Sequence, residues 1–167
     1  AKSNVSIIPY AKVGGAKNYE EGTDTKLIRG LGTDAKIGLT SSLNLDLTVN
    51  PDFSQVEVDQ QVTDLDRFEI YFPEKRQFFL ENADLFGSFG SNNSRPFFSR
   101  RIGITRDTLT DQNVSEPIIF GARLSGKASK NLRVGFLSMQ TAAVESAAQP
   151  SLNYSVAVLQ QKVFSRS

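Results

Sequence analysis

The amino-acid sequence predicts an all-β protein of a single domain, with about six antiparallel strands and one long loop. Six segments alternate apolar and polar side chains, which is the period of a strand with one buried face. Short polar turns join neighbouring segments into hairpins. Between the third and fourth segments, residues 51–101 lose the alternation and hold more than half of the chain's aromatic residues. We therefore expect a sheet of paired strands interrupted by a long, aromatic-rich loop.

Three strands precede this loop. Residues 43–50 alternate leucine or valine with polar side chains without exception, so this strand is the clearest in the chain. Residues 27–39 alternate before it, and the short turn at 40–42 makes the two a hairpin. Residues 3–13 alternate similarly, and Pro9, which has no N–H to donate to a neighbouring strand, suits the edge of a sheet.

Three further strands follow the loop. They are predicted over 118–127, 132–140 and 152–160. The connection between the first two is hairpin-like, whereas 142–150 is a loop of small residues. The domain therefore extends over the whole chain, 1–167.

The long loop has one helical candidate, Pro73–Phe86. Proline suits the first position of a helix, and Glu74 complements the N-terminal dipole. We expect residues 51–101 to fold inward or to pack as a plug containing this one short helix. The functional site is expected in this loop or beside it.

The composition excludes several functions. The 19 basic and 18 acidic residues nearly balance, which argues against a surface that tracks nucleic-acid phosphates. The chain has no cysteine for disulfide or thiolate chemistry, and no histidine, the usual general base and commonest metal ligand. Gly121–Ala128 resembles a phosphate-binding loop, but it lies on a strand and a turn, and it ends in alanine where Ser or Thr would hold Mg²⁺. We therefore predict no nucleotide ligand and no nucleic-acid partner.

The alternation of apolar and polar residues does not show whether the apolar face of the sheet contacts a protein core or lipid. The apolar face points inward in a water-soluble sandwich or barrel and outward in an outer-membrane barrel. Two observations favour the membrane: the polar faces are rich in Gly, Asn, Thr and Ser, and short turns alternate with long connections. No stretch of about 18 apolar residues exists, so a transmembrane helix is excluded. Even the smallest barrels need about eight strands to close, so in a membrane these residues would be the N-terminal portion of a larger antiparallel transmembrane β-barrel.

Three long motifs carry a family resemblance. They are NPDFSQVEVDQQV at 50–62, FPEKRQFFLEN at 72–82 and PFFSRRIG at 96–103. With the hairpin at 36–53 and the strand at 117–127, they resemble large bacterial outer-membrane β-barrel proteins, mostly from Bacteroidota, whose barrel domain has no assigned function. The resemblance implies a bacterial outer-membrane location, contact with outer-membrane lipid and an upstream family-9 carbohydrate-binding-like module. It implies no catalytic residue.

Carboxylates concentrate early in the loop. Glu57 and Asp59 are two residues apart and would share one face of an extended segment. Oxygen-rich groups of this kind suit Ca²⁺, for which Asp52, Glu57 and Asp59 are the candidate ligands; no other cofactor is expected. Paired carboxylates also suit glycoside hydrolysis. The simplest alternative is that they pair with nearby Arg and Lys side chains.

The remaining candidates are charged or aromatic. Arg100 and Arg101 follow two phenylalanines and suit either an anion-selective lumen or structural salt bridges. The loop phenylalanines form either a sugar-stacking platform or the packing core of the loop. The candidate ligand-binding or gating residues are Glu57, Asp59, Arg76, Glu81, Arg100 and Arg101.

Three functions of different classes remain. The leading hypothesis is an outer-membrane β-barrel for transport, binding or surface-complex assembly, connected with glycans or other envelope proteins and gated by the loop without covalent chemistry. The second is an outer-membrane hydrolase that uses loop carboxylates. The third is a soluble all-β interaction module, which predicts a folded, monodisperse chain in buffer without detergent.

Overall fold

The computed structural model describes residues 4–16, 26–51, 76–87, 97–108 and 113–163. Two short helices, α1 (Gln77–Leu80) and α2 (Ala83–Gly87), lie between the third and fourth strands, and 3-10 turns lie at Ser99–Arg101 and Glu145–Ala147. The strands in chain order are β1 (Val5–Ala16), β2 (Lys26–Gly38), β3 (Leu43–Val49), β4 (Ile104–Arg106), β5 (Asn113–Ser115), β6 (Ile118–Lys127), β7 (Leu132–Thr141) and β8 (Asn153–Gln161).

Six of these strands form one antiparallel sheet in the order β1-β2-β3-β6-β7-β8. Apart from the insertion between β3 and β6, each strand pairs with its neighbour in the sequence. The prediction of an all-β fold with six antiparallel strands is therefore confirmed. The remaining two strands, β4 and β5, pair only with each other. Pro9 lies in β1, which is an edge strand of the described sheet.

The register gives the sheet two chemically different faces. Successive side chains of a strand point to opposite faces, so each cross-strand row belongs to one face. The face called the apolar face below contains the complete row Val5, Ile37, Leu45, Leu124, Phe136 and Ala157. The face called the polar face contains the adjacent complete row Ser6, Lys36, Asp46, Arg123, Leu137 and Val156.

The two ends of the sheet differ in their connections. At one end, β2 turns into β3 over residues 39–42, and β6 turns into β7 over residues 128–131. Both turns are closed by backbone hydrogen bonds, such as Leu39 N–H to the carbonyl of Leu43 at 2.9 Å. The connections at the other end span 17–25, 50–117 and 142–152. The inserted helices therefore enter from the end that carries the long connections.

The prediction of one helix over 73–86 is wrong in detail, because residues 77–87 form two short helices. The first ends at Leu80, and the following residue, Glu81, has an extended backbone (φ −70°, ψ 126°). The next residue, Asn82, has φ 52°, a left-handed conformation that asparagine adopts more readily than most residues. The predicted start at Pro73 lies outside the described residues.

Candidate functional site

The described residues 76–87, called the inner segment below, pack against the sheet. Phe79, Leu85 and Phe86 of this segment are buried in one cluster that also contains Leu137, Met139 and Val158 of β7 and β8. The sheet residues of this cluster point to the polar face, so the inner segment covers that face and the core lies between them.

The apolar face remains exposed. Ile7, Leu31 and Leu159 on this face have 66%, 75% and 77% of their surface accessible. Phe136, in the middle of β7, is still 44% accessible. In a water-soluble layered fold the helical layer would cover the apolar face of the sheet. Here α1 and α2 pack on the apolar residues that β7 and β8 place on the polar face, and among the described residues the apolar face is left uncovered.

Gly135 in β7 makes the close approach of α2 possible. A Cβ atom added there would lie 2.8 Å from Leu85 Cδ2 and 2.9 Å from Phe86 Cζ. Such distances are shorter than normal carbon contacts, so a side chain at this position must push the helix away from the strand.

We expect Gly135→Val to destabilise the packing of the inner segment by about 1–3 kcal/mol, the usual cost of overfilling a packed core. The free energy of unfolding in urea measures this cost. Gly14→Val in β1 is the control, because a Cβ atom added there meets nothing within 4 Å. Equal losses at the two positions would show that strand backbone effects, and not contact with α2, determine the result.

Arg123 holds the inner segment to the centre of the polar face. This side chain is 1% exposed, and its Nη2 lies 2.7 Å from Asp46 Oδ2 across the strand pair β3–β6. Its Nη1 donates to the carbonyl oxygens of Phe78 and Glu81, the latter at 2.8 Å. The guanidinium also lies 5.1 Å from the centre of the Phe78 ring.

These contacts satisfy the carbonyl groups at the end of α1 and the guanidinium of Arg123. The carbonyl oxygens at a helix C-terminus receive no hydrogen bond from within the helix, and a cation there interacts favourably with the helix dipole. Arg123 therefore caps the end of α1 from the sheet. Asp46, which is 8% exposed, supplies the opposite charge that a buried guanidinium requires.

Two more accessible ion pairs flank this buried one. Lys36 Nζ of β2 lies 2.6 Å from Glu81 Oε2, and Glu81 Oε2 is also 3.4 Å from Arg123 Nη2. On the other side, Arg133 Nη1 of β7 lies 2.7 Å from Asp84 Oδ2 of α2. The inner segment is thus held to β2, β6 and β7 by charges of opposite sign.

These contacts shift the titration of both acids. The hydrogen bond from Lys36 lowers the pKa of Glu81 below its ordinary value, against the opposing effect of burial. The hydrogen bond from Arg133 likewise lowers the pKa of Asp84. A carboxylate whose pKa is lowered on folding stabilises the folded state above its unfolded pKa of about 4, and this stabilisation is lost as the pH falls through the folded pKa.

We expect Glu81→Gln to lower the free energy of unfolding by no more than about 1 kcal/mol at pH 7, because the pair is partly exposed to water. The difference between the variant and the wild type should shrink as the pH falls below about 4. Urea unfolding of both proteins at pH 7 and pH 3 measures it. A difference that is the same at both pH values would show that the Glu81 charge does not hold the inner segment.

Arg76 joins the inner segment to the turn at 99–102. It is 6% exposed, and its guanidinium donates to the carbonyl oxygens of Ile102 at 2.5 Å and Ser99 at 2.7 Å. The same group lies 4.3 Å from the centre of the Phe79 ring. A buried arginine with these contacts positions two segments against each other and is not available to a ligand.

A second buried acid lies nearby at Glu116, which is 2% exposed. Its backbone N–H donates to the carbonyl of Gly103 at 2.9 Å, and its Oε1 accepts a hydrogen bond from the Thr141 hydroxyl at 2.7 Å. Its Oε2 has no hydrogen-bond partner among the described residues. Glu116 therefore ties the residues before β6 to the end of β7.

Two of the predicted site residues, Arg76 and Glu81, lie in the inner segment but have different partners: Arg76 contacts the turn at 99–102, and Glu81 contacts Lys36 and Arg123. Arg101 lies exposed in the 3-10 turn at Ser99–Arg101, and Arg100 is in the same turn. The remaining predicted residues, Asp52, Glu57 and Asp59, lie outside the described residues. Among the described residues, no group of three or more acidic side chains is placed to hold a metal ion.

The alternatives for the loop phenylalanines are partly resolved. Phe79 and Phe86 are 5% and 4% exposed and belong to the core, so these two rings do not form a sugar-stacking surface. Phe78 and Phe97 are partly buried against the same cluster.

For Glu81, a lowered pKa is the opposite of what a general acid requires.

Sequence reasoning missed the central pair, Arg123 and Asp46. A signal was present, because Asp46 is the one charged side chain of β3 and Arg123 lies in the middle of β6. A charge in such a place requires a partner on the same face of the sheet. Arg123 was instead considered only as part of a phosphate-loop-like motif.

The fold and the site define an all-β protein whose six-stranded meander carries an inserted segment on its polar face, ion-paired to three strands. A family model described as a domain of unknown function (DUF5916) matches residues 3–167, so the chain belongs to this family. No curated protein and no solved structure matches the chain. None of the described helices is long and apolar enough to span a membrane.

Proposed function

We propose that these residues are part of a bacterial outer-membrane β-barrel and that the inner segment lies in its lumen. The observation that carries the proposal is the polarity of the sheet: a helical segment and an ion-pair cluster cover the polar face, while the apolar face is exposed. Strands of outer-membrane barrels alternate in this sense, with apolar side chains outward and polar side chains toward the lumen. The barrel's role would be transport, binding or surface-complex assembly.

The connections at the two ends support the same proposal. Outer-membrane barrels have short turns at the periplasmic end and longer loops at the extracellular end. Here the turns at 39–42 and 128–131 lie at one end, and the connections at 17–25, 50–117 and 142–152 lie at the other. The short-turn end is therefore assigned to the periplasm, and the inner segment enters the lumen from outside.

The proposal requires further strands beside β1 and β8, which are the edges of the described sheet. Unpaired backbone groups at an edge are not tolerated in hydrocarbon, because no water is present to hydrogen-bond them. With about eight or more strands the sheet closes and both edges disappear.

The mechanism we propose is steric and electrostatic, with no covalent chemistry. The inner segment narrows the lumen and stays attached through Arg123, Glu81 and Asp84. The charges of Glu81 and Arg101 then help to select the solute that passes or binds. A glycan or another envelope protein is the partner that the carbohydrate-binding-like module of resembling proteins suggests.

Ion selectivity tests this mechanism. We expect the full-length protein in a planar bilayer to conduct ions, with Glu81→Gln shifting the reversal potential in a KCl gradient toward anion selectivity and Arg101→Gln shifting it toward cation selectivity. Glu145→Gln is the control, because this exposed acid lies in the connection between β7 and β8. Absence of any conductance would overturn the transport role, and unchanged selectivity in both variants would overturn the electrostatic one.

A further inference from the structure

We infer that the apolar face contacts lipid hydrocarbon along a diagonal belt, with the strands tilted by roughly 45° from the membrane normal. In this arrangement Ser138, Gln140, Asn153 and Ser155 lie among the lipid headgroups. The inference rests on the membrane location proposed above and adds the orientation of the sheet and the depth of individual residues.

Three cross-strand rows of the apolar face run through all six strands. The first, given above, is apolar throughout. The second begins apolar and becomes polar on β7 and β8: Ile7, Ala35, Leu47, Ala122, Ser138 and Ser155. The third is polar on the same two strands and also carries a threonine on β2: Pro9, Thr33, Val49, Phe120, Gln140 and Asn153.

The apolar stretch continues further on the opposite side of the sheet. Beyond the third row, Ala11 of β1 pairs with Leu31 of β2, and only the next row brings a charge, Arg29, opposite Val13. On β2 the last apolar residue before the polar boundary is therefore Leu31, which lies one row before Arg29. On β8 it is Ala157, which lies one row before Ser155. Leu31 and Ala157 are three rows apart.

The shift of the polar boundary from β2 to β8 gives the angle at which this boundary crosses the strands. Three rows of two residues correspond to about 20 Å along the strands, and the four strand spacings from β2 to β8 correspond to about 19 Å across them. A horizontal boundary in the membrane then crosses the sheet at about 45°, close to the tilt of about 35–45° that barrel closure imposes.

The charge distribution favours hydrocarbon as the occupant of this belt. Among the described strand residues of the apolar face, Arg29 is the one charged side chain, and it lies at the boundary. The polar face of the same strands carries Asp34, Lys36, Asp46, Arg123 and Arg133. Charges are penalised on a lipid-facing surface and tolerated toward a lumen.

The polar residues beyond the boundary suit a hydrated layer. Asn153 donates to Ser138 and Gln140, both at 3.3 Å, and the hydroxyls of Ser155 and Ser138 are 2.9 Å apart. All belong to exposed side-chain contacts on the outer surface of β7 and β8. Headgroups and interfacial water offer further hydrogen-bond partners there, and an apolar surface of a second copy does not.

Spin labels test the inference directly. Single cysteines are introduced into the full-length protein, with any cysteine outside these residues replaced, since these 167 residues contain none. Labels are attached at Ile7→Cys, Ser155→Cys, Leu31→Cys and Ala157→Cys, and collisions with oxygen and with a water-soluble nickel chelate report depth in phosphatidylcholine vesicles.

Ile7 and Ser155 share a row, so upright strands would place them at one depth, whereas a 45° tilt separates them by about 17 Å. Leu31 and Ala157 are three rows apart, yet the tilt places them at equal depth. We expect the Ile7 label to be the deepest, the Ser155 label to be in the headgroup layer and the other two labels to match.

Each of the other possible label patterns would overturn the tilt of the strands, or both the tilt and the membrane location. Equal depths for Ile7 and Ser155, with unequal depths for Leu31 and Ala157, would contradict the tilt and leave the membrane location standing. Strong collisions of all four labels with the nickel chelate would place the face in water and overturn both. Labels that neither reagent reaches would show a protein partner, such as a second copy, on this face and would also overturn both.

Discussion

Arg123→Met is expected to lower the free energy of unfolding by about 3–5 kcal/mol, because it leaves a buried carboxylate without its counter-charge. Asp46 is 8% exposed, and its described charge partner is the Arg123 guanidinium. The substitution also removes the donor to the carbonyls of Phe78 and Glu81 at the end of α1. Urea unfolding measures the total loss, and amide hydrogen exchange of residues 77–87 shows whether the inner segment detaches.

A double variant separates the two contributions. Arg123→Met with Asp46→Leu removes both buried charges, and such replacements often recover much of the stability that the single change removes. We expect the double variant to be more stable than Arg123→Met alone, while residues 77–87 still exchange faster than in the wild type. If Arg123→Met costs less than about 1 kcal/mol, the ion pair does not hold the inner segment.

Ile7→Arg is expected to cost about 2–4 kcal/mol if the apolar face contacts the hydrocarbon interior. Ile7 is 66% exposed in the described structure, so the same change in water should stay within about 0.5 kcal/mol. Urea unfolding of the full-length protein from lipid vesicles measures the cost. The large difference between the two environments makes this substitution decisive.

The neighbouring residue gives a matched control. Ile8 is 58% exposed, points to the polar face and is the cross-strand partner of Asp34. Ile8→Arg introduces the same charge one residue away on the opposite face, so we expect it to be close to neutral. Equal effects of the two substitutions would contradict the assignment of one face to lipid and the other to the lumen.

Strand positions were predictable because a period of two residues is a local signal. The predicted strand 118–127 coincides with β6, and predicted 43–50 ends one residue beyond β3. The largest differences are at β1, which was predicted over 3–13 and spans Val5–Ala16. There, Gly14 and Gly15 extend the strand without an apolar signal.

Elements that depend on distant contacts were not predictable. The hairpin of β4 and β5 has only three residues in each strand, too few to establish a period. The division of the predicted helix at Asn82 is a matter of local backbone conformation. The positions of both helices depend on Gly135 and Arg123, whose contacts with the inner segment span 42 or more residues of sequence.

The candidate site shows the same division. Arg76 and Glu81 lie within the motif at 72–82, and both lie where the inserted segment contacts the rest of the protein. Their roles are set by partners on other strands, such as Lys36 for Glu81, and no local pattern specifies which residues meet across a sheet. The face that the inner segment covers required the register of all six strands.

Heat-modifiability of the full-length protein in its native membrane fraction tests the central proposal most directly. The same sample is run on SDS gels with and without boiling, because a closed barrel resists SDS until it is heated. We predict that the protein is found in the outer-membrane fraction and that its unboiled band migrates differently from the boiled band. Recovery in the soluble fraction with identical migration before and after boiling would contradict the barrel and would place the exposed apolar face against a protein partner in water.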